Sequence, residues 1–467
     1  MPPKAAYKAW GVQILILGLS FSFFSTAWAS DSSFWVWQKN SPLASSEIAE
    51  LNKAGIKELY WHVGTLVLHD SQWSWREQFH VDFSDLKKAA PFIHFIPVVR
   101  LEPAAGLSFS AENQSQLISI LERVVSSSGA SSLQIDYECP DRFISQYRDF
   151  LGLLKEQGRP WRLSISALGH WSKFANDFQG LTDEITPMFY DLNPSREPMG
   201  GDFLPPLVAS AAENQVEAWQ DCKLPWKAGL PNFCRVTVVN ASGLNRGNIR
   251  SCLLDELWFS SFLTPLHPTA GGQTVFTVTH SGVLADTPIQ PQEKVVVRYP
   301  ELTSLTRLKA VAERAGATGI LFFRFADGSD MSGYSAGNLA QARSTPPTLT
   351  VKWESSGRLS ITNISKSDLM PVVSPAGGRG YALELETKAG SWREAIPGDF
   401  AMATTQANGT SLIQGTIGFD VTTIYFWFSR LRAGQTLETG FVQRVSTEPI
   451  LWRIHNQDTE TQWHPLE

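Results

Sequence analysis

Cysteine is scarce in this chain: Cys139, Cys222, Cys234 and Cys252 are the only four in 467 residues. They lack the paired short spacings of a zinc site, and His62, Glu102 and His170 are too irregularly placed to form a ligand signature. No cofactor motif appears either. A basic excess is also missing. Lys and Arg number 39 against 45 Asp and Glu, for a formal charge of -6, which argues against nucleic acid as a partner. After residue 29 no apolar run is long enough to span a bilayer. Repeats and low-complexity tracts are absent, and a 43% hydrophobic content excludes general disorder.

The first 29 residues are of a different kind. Lys4 and Lys8 precede a largely apolar run from Ala9 to Phe24, and Ala27-Trp28-Ala29 then forms a small-x-small pattern before Ser30. This is the pattern of a secretory signal peptide, residues 1–29, with a retained anchor as the alternative. No Cys stands at the cleavage point, so a lipid anchor there is excluded. The expectation is an exported protein, periplasmic or extracellular, without a membrane span after cleavage. An oxidising compartment makes a disulfide among Cys222, Cys234 and Cys252 the simplest expectation, with Cys139 left as a buried thiol. The 17 Trp have two uses, as core residues or as flat faces for sugars.

Eight strand-like runs alternate with helical patterns: 34–38, 58–66, 94–102, 132–138, 162–168, 185–191, 226–233 and 319–327. The intervening helices show apolar residues every three to four positions, as in Ile144, Tyr147, Phe150, Leu151 and Leu154. The fold class expected is α/β, a (β/α)8 TIM-type barrel over 30–343. Residues 234–293 interrupt it as a long insertion, expected as an ordered lid over the cleft. After Thr345-Pro346-Pro347 the pattern becomes all-β, so 346–467 is expected as a smaller sandwich-like domain.

The strongest site lies on the fourth run. Side chains alternate along a strand, so Gln134, Asp136 and Glu138 share one face, about 6.6 Å apart in succession. In a barrel that face points inward, and the strand's end lies at the mouth, where active sites of this fold are found. Two carboxylates this close push each other's pKa apart, so one donates a proton while the other stays charged. That is the requirement for cleaving a glycosidic bond. His62, Arg100, Glu102, His170, Tyr190, Asp191 and Asp327 also fall at or just past strand ends.

The motifs resemble a known family. Gln134-Ile-Asp136-Tyr-Glu138 is similar to the strand-four Asp-x-Asp-x-Glu signature of the glycoside hydrolase family 18, the chitinase-like barrels. Met188-Phe-Tyr190-Asp191 is similar to the family's strand-six Met-x-Tyr-Asp, and Gly319–Phe323 resembles its strand eight, with Phe323 where that strand ends in Trp. The whole also resembles an exported bacterial group of glycosidase-like TIM barrels. The resemblance implies a glycan substrate containing N-acetyl-hexosamine, with Glu138 as general acid and base. Asp136 and Tyr190 would hold the substrate's acetamido group, with Gln134, Asp191, Met188 and Phe323 lining the cleft; His62, Arg100 and Glu102 are expected to bind substrate from their own places at strand ends. Gln134 replaces an Asp of the signature and cannot share a proton with Asp136. Three readings follow: a glycosidase, a barrel that binds glycan without cleaving it, and an envelope scaffold that binds partners through its β domain.

Overall fold

The computed structural model describes residues 31–103, 111–190, 207, 209–249, 252–325, 333–341, 345–387, 392–405, 421–444, 448–456, 459–460 and 462–466. The expected signal peptide, Asp191 and Asp327 lie outside the described residues.

Nine strands form the first sheet: β1 (Asp31–Val36), β2 (Glu58–His69), β3 (Gln72–Gln78), β4 (His94–Pro103), β5 (Ser132–Asp136), β6 (Arg162–Leu168), β7 (Glu184–Met188), β8 (Lys227–Pro231) and, after an insertion, Gly319–Phe323. The last of these pairs with both β8 and β1, and β1 also pairs with β2, all in parallel. Eight parallel strands therefore close into a barrel, as the alternating pattern predicts, with β3 added antiparallel to β2 outside it. The barrel interior is packed by Trp35, Tyr60, Ile96, Val98, Met188 and Leu321. The outward faces of the strands meet the helices in a much larger core. α1 (Ser45–Ala54), α2 (Phe83–Ala89), α3 (Ala111–Ser128) and α4 (Ile144–Glu156) follow the first strands, and α4 buries the five apolar residues its periodicity picks out. α5 (Ala209–Glu217) precedes β8. At the opposite, N-terminal end of the barrel, Lys227 is buried among Glu58, Tyr60 and Glu184; its Nζ is 2.8 Å from the Tyr60 hydroxyl, which donates to Glu184 at 2.7 Å.

β3 approaches β2 closely because position 64 is glycine. A Cβ there would stand 2.6 Å from the Glu77 carbonyl and 2.7 Å from the Trp75 ring. The β2–β3 register shifts just beyond it, between Thr65 and Leu66.

Between β8 and the last barrel strand the chain forms a second, antiparallel sheet. β9 (Arg235–Val239), β10 (Asn245–Ile249), β11 (Leu263–Pro265), β12 (Gln273–Val278) and, past a hairpin of β13 (Gly282–Leu284) and β14 (Thr287–Ile289), β15 (Lys294–Arg298) run in the order β10-β9-β15-β12-β11. With α6 (Leu254–Trp258) they enclose their own core of Val236, Leu257, Phe276 and Val297. α7 (Leu302–Arg314) returns the chain to β16 (Gly319–Phe323), and α8 (Ala336–Leu339) follows.

The remaining strands are antiparallel and form three small sheets around one core that includes Leu359, Leu383, Trp392 and Phe426. This all-β unit is fastened to the inserted sheet. The Arg379 guanidinium donates to the carbonyls of Trp258, Ser260 and Leu263 at 3.1, 3.1 and 2.6 Å, and the Trp258 indole donates to Val372 at 2.9 Å. It also meets α1 across a cleft of about 540 Å³ whose lining includes Glu50, Lys53, Lys366 and Arg432.

The expected disulfide is not present. All four cysteines are unbridged: Cys222 packs against the barrel core, apart from the other two, and Cys234 and Cys252 both lie in the core of the inserted sheet as free thiols. Burial pushes the Cys139 thiol up to about 12 and raises Cys222 as well, so both stay protonated and unreactive.

A candidate active site at the barrel mouth

β5 turns Gln134 and Asp136 into the barrel, while Ile135 and Tyr137 face the helices, Tyr137 edge-on to Tyr147 at 4.9 Å. The strand ladder stops at Asp136, two residues short of the expected end, and Glu138 stands exposed beyond it. One carboxylate is therefore sealed in the barrel and the next faces solvent.

Asp136 is held from both neighbouring strands. On the β6 side the Ser166 hydroxyl donates to its Oδ1 at 2.5 Å, and on the β4 side the Arg100 Nε is 3.8 Å from its Oδ2. Burial pushes the Asp136 carboxyl above its ordinary range; Ser166 and Arg100 oppose that push, and Glu102 adds to it. Arg100 is itself paired with Glu102 at 3.4 Å, and Glu102 also pairs with Arg76 of β3.

Gln134 takes no part in that arrangement. It is fully buried, and its Oε1 accepts the indole N–H of Trp35 at 2.6 Å, while its Nε2 has no protein partner among the described residues. His62 lies on the β2 wall, fully buried and stacked on Trp37 with ring centroids 3.9 Å apart and planes 8° from parallel. Burial lowers its pKa to about 4; Glu77 opposes this and Arg100 reinforces it, so His62 is neutral near pH 7. Its Nε2 lies 3.3 Å from the Thr65 hydroxyl, which donates to Glu77 at 2.8 Å.

The other wall is aromatic. Tyr190 stacks on Phe323 at 5.9 Å, Phe233 meets both edge-on at 6.0 Å, and Trp37 meets Phe323 edge-on at 5.4 Å. The Tyr190 hydroxyl donates to the Met188 sulfur at 3.1 Å.

Of the residues singled out in the sequence, Asp136, Arg100 and Glu102 thus form one charged group, with His62 beside it. Tyr190 and Phe323 belong to the aromatic wall, with the Met188 sulfur against the Tyr190 hydroxyl. His170 instead makes a surface pair with Asp141 at 2.9 Å, shared with Lys173. Sequence reasoning missed Ser166, Trp35 and Trp37. Trp35 and Trp37 carry the same i, i+2 signal that marks Gln134 and Asp136, on the first strand instead of the fourth. Among the described residues, no group of three His, Cys, Asp or Glu is placed to hold a metal ion.

No protein-family model and no curated protein matches the chain. Solved structures similar to it include the spore cortex-lytic enzyme SleL of Bacillus megaterium QM B1551, at 11% identity and a TM-score of 0.46 over 65% of this chain and 71% of that one. A chitinase from Chromobacterium violaceum ATCC 12472 is similar at 12% identity and a TM-score of 0.43, over 63% and 94%. Chitinase ChiA74 from Bacillus thuringiensis is similar at 8% identity and a TM-score of 0.44, over 91% and 100%. The barrel assignment rests on the strand pairing described above.

Proposed function

We propose that this chain is an exported glycoside hydrolase in which Glu138 donates the proton and Asp136 is its charged partner. The observation that carries this reading is the pairing of environments on one strand end: Asp136 sealed in the barrel between Ser166 and Arg100, and Glu138 open to solvent two residues on. An anionic Asp136 raises the proton affinity of Glu138 by like-charge repulsion, so Glu138 protonates the leaving oxygen near neutral pH.

The substrate class we propose is a glycan containing N-acetyl-hexosamine, cleaved with retention. The acetamido oxygen attacks the anomeric carbon as the bond to the leaving oxygen breaks and that oxygen takes the Glu138 proton. Water then opens the ring intermediate, giving its proton back to Glu138. Asp136 orients the acetamido group and Tyr190 hydrogen-bonds it. The motif resemblance on β5 and β7 supports this finer part. A second reading, glycan binding without cleavage, is favoured by the engagement of Gln134 with Trp35 and by Phe323 in place of Trp.

Turnover by purified protein on a panel of β-linked amino-sugar and neutral oligosaccharides separates the two. Cleavage of at least one amino-sugar member, abolished in Glu138→Gln, is the expected result. Binding of several members with no cleavage establishes the second reading.

A further inference from the structure

We infer that Arg100 is a positioning residue for Asp136, and that the alternating charges Arg76, Glu102, Arg100 and Asp136 make the outlying strand β3 a working part of the site. The inference rests on the reading of Asp136 as the partner of Glu138.

The register places Arg100 directly opposite Asp136 on adjacent parallel strands, so both project to the same face. A carboxylate sealed in a barrel becomes neutral unless opposite charge or hydrogen-bond donors compensate it. Asp136 has one of each. Ser166 supplies a neutral donor to Oδ1, and among the described residues it is Arg100 that brings positive charge, to Oδ2. Gln134, the inward residue one pleat below, is committed to Trp35 through its oxygen. His62, on the next strand, is neutral and adds no charge. The charge of Asp136 therefore depends on where the Arg100 guanidinium sits.

Glu102 decides that. It is two residues along β4 from Arg100 and pairs with it at 3.4 Å, drawing the guanidinium toward the rim. Arg76 pairs with the same carboxylate from β3 and takes up part of its charge. Removing Arg76 leaves Glu102 to compete undivided with Asp136 for Arg100. The mouth thus contains a tunable contact whose outer end is a half-exposed arginine on a strand outside the barrel.

The test uses the full chain with carbon-13-labelled aspartate carboxyls, the Asp136 resonance assigned by its loss in Asp136→Asn. In Arg100→Gln the Asp136 titration should move up by about 1–3 pH units, the reverse of what an adjacent arginine does to a carboxyl. Arg100→Lys should restore part of that shift, and Arg76→Gln should move it in the same direction by less. Where turnover is measured, Arg100→Gln should lower kcat at neutral pH about tenfold or more with KM little changed, and the acid limb of the profile should rise with the titration. An unmoved Asp136 titration in a folded Arg100→Gln overturns the inference. If that variant does not fold, Arg76→Gln decides in its place, and no shift there overturns it. A shifted titration in a protein that cleaves no glycan keeps Arg100 as the positioning residue and removes the hydrolase reading instead.

Discussion

The indole nitrogen of Trp35, on the first barrel strand, donates a 2.6 Å hydrogen bond across the barrel to the side-chain oxygen of Gln134 on the fourth. Both side chains are buried, so neither has water as a substitute partner. Trp35→Phe should cost about 2–4 kcal/mol, from lost volume and from a stranded amide oxygen. Gln134→Leu alone should strand the indole N–H and cost about 1–3 kcal/mol. The double variant should be more stable than the sum of the two losses implies, because no polar atom of the pair is then left behind. Urea denaturation of the four proteins measures this, and strict additivity would contradict the bond's importance.

Glu138→Gln should lower turnover by about 10²–10⁴-fold, the range expected on losing a general acid, while leaving glycan affinity within a few-fold of wild type. Asp136→Asn should also slow turnover, and the acidic limb of the pH–rate profile should change, since the group whose charge supports Glu138 no longer titrates. Steady-state kinetics alongside calorimetric binding separates the two effects.

His62 should destabilise the fold in acid. Its folded pKa of about 4 lies below the ordinary 6.5, so the unfolded chain binds a proton that the native protein does not over that interval. The stability contributed by its neutral form is present above pH 6.5 and is lost as pH falls toward 4, by about 3 kcal/mol at 1.36 kcal/mol per unit. His62→Phe should flatten this part of the curve. Denaturation midpoints between pH 4 and pH 7 test the difference in slope.

Glu50 should act with the opposite sign. It lies on α1 and accepts the backbone N–H of Ala336 at 2.5 Å, at the start of α8. Burial pushes its carboxyl up to about 7; the Ala336 N–H and Arg432 oppose this, and Asp368 and Glu47 add to it. The protonated form is therefore the one the fold favours. Stability should decline as pH rises from 4.5 toward 7, by about 1–2 kcal/mol for a half-buried group. Glu50→Gln should remove that decline and raise the melting temperature at pH 8 more than at pH 4.

Trp37 is a half-exposed aromatic at the mouth, stacked on His62. Trp37→Ala should weaken oligosaccharide binding by about 3–10-fold, the size of a lost aromatic stack, with little change in the pH dependence of turnover. Unchanged affinity would place the sugar elsewhere on the rim.

The barrel was legible because its two periods are local. Alternating runs of five to ten residues and helices with an apolar stripe mark every barrel strand, and α4 buries the residues its spacing picks out. The same period of two put Asp136 on the inward face and Glu138 at the rim. Local pattern also set limits: the cysteine spacings carry no zinc signature, and the charge total argues against a nucleic-acid partner. It could not foresee that Ser166 and Arg100 would grip Asp136 from opposite sides, since those contacts depend on the register of three strands from distant parts of the chain. Nor could it foresee that Trp35 would reach Gln134 across 99 residues of sequence, or that Cys222 and Cys234 would settle in different cores. Sequence by itself determined which residue types stand at the end of which strand, because strand and helix periods are written in neighbouring residues. Only the closed barrel decided which of them meet, because parallel pairing brings together side chains that no local pattern connects.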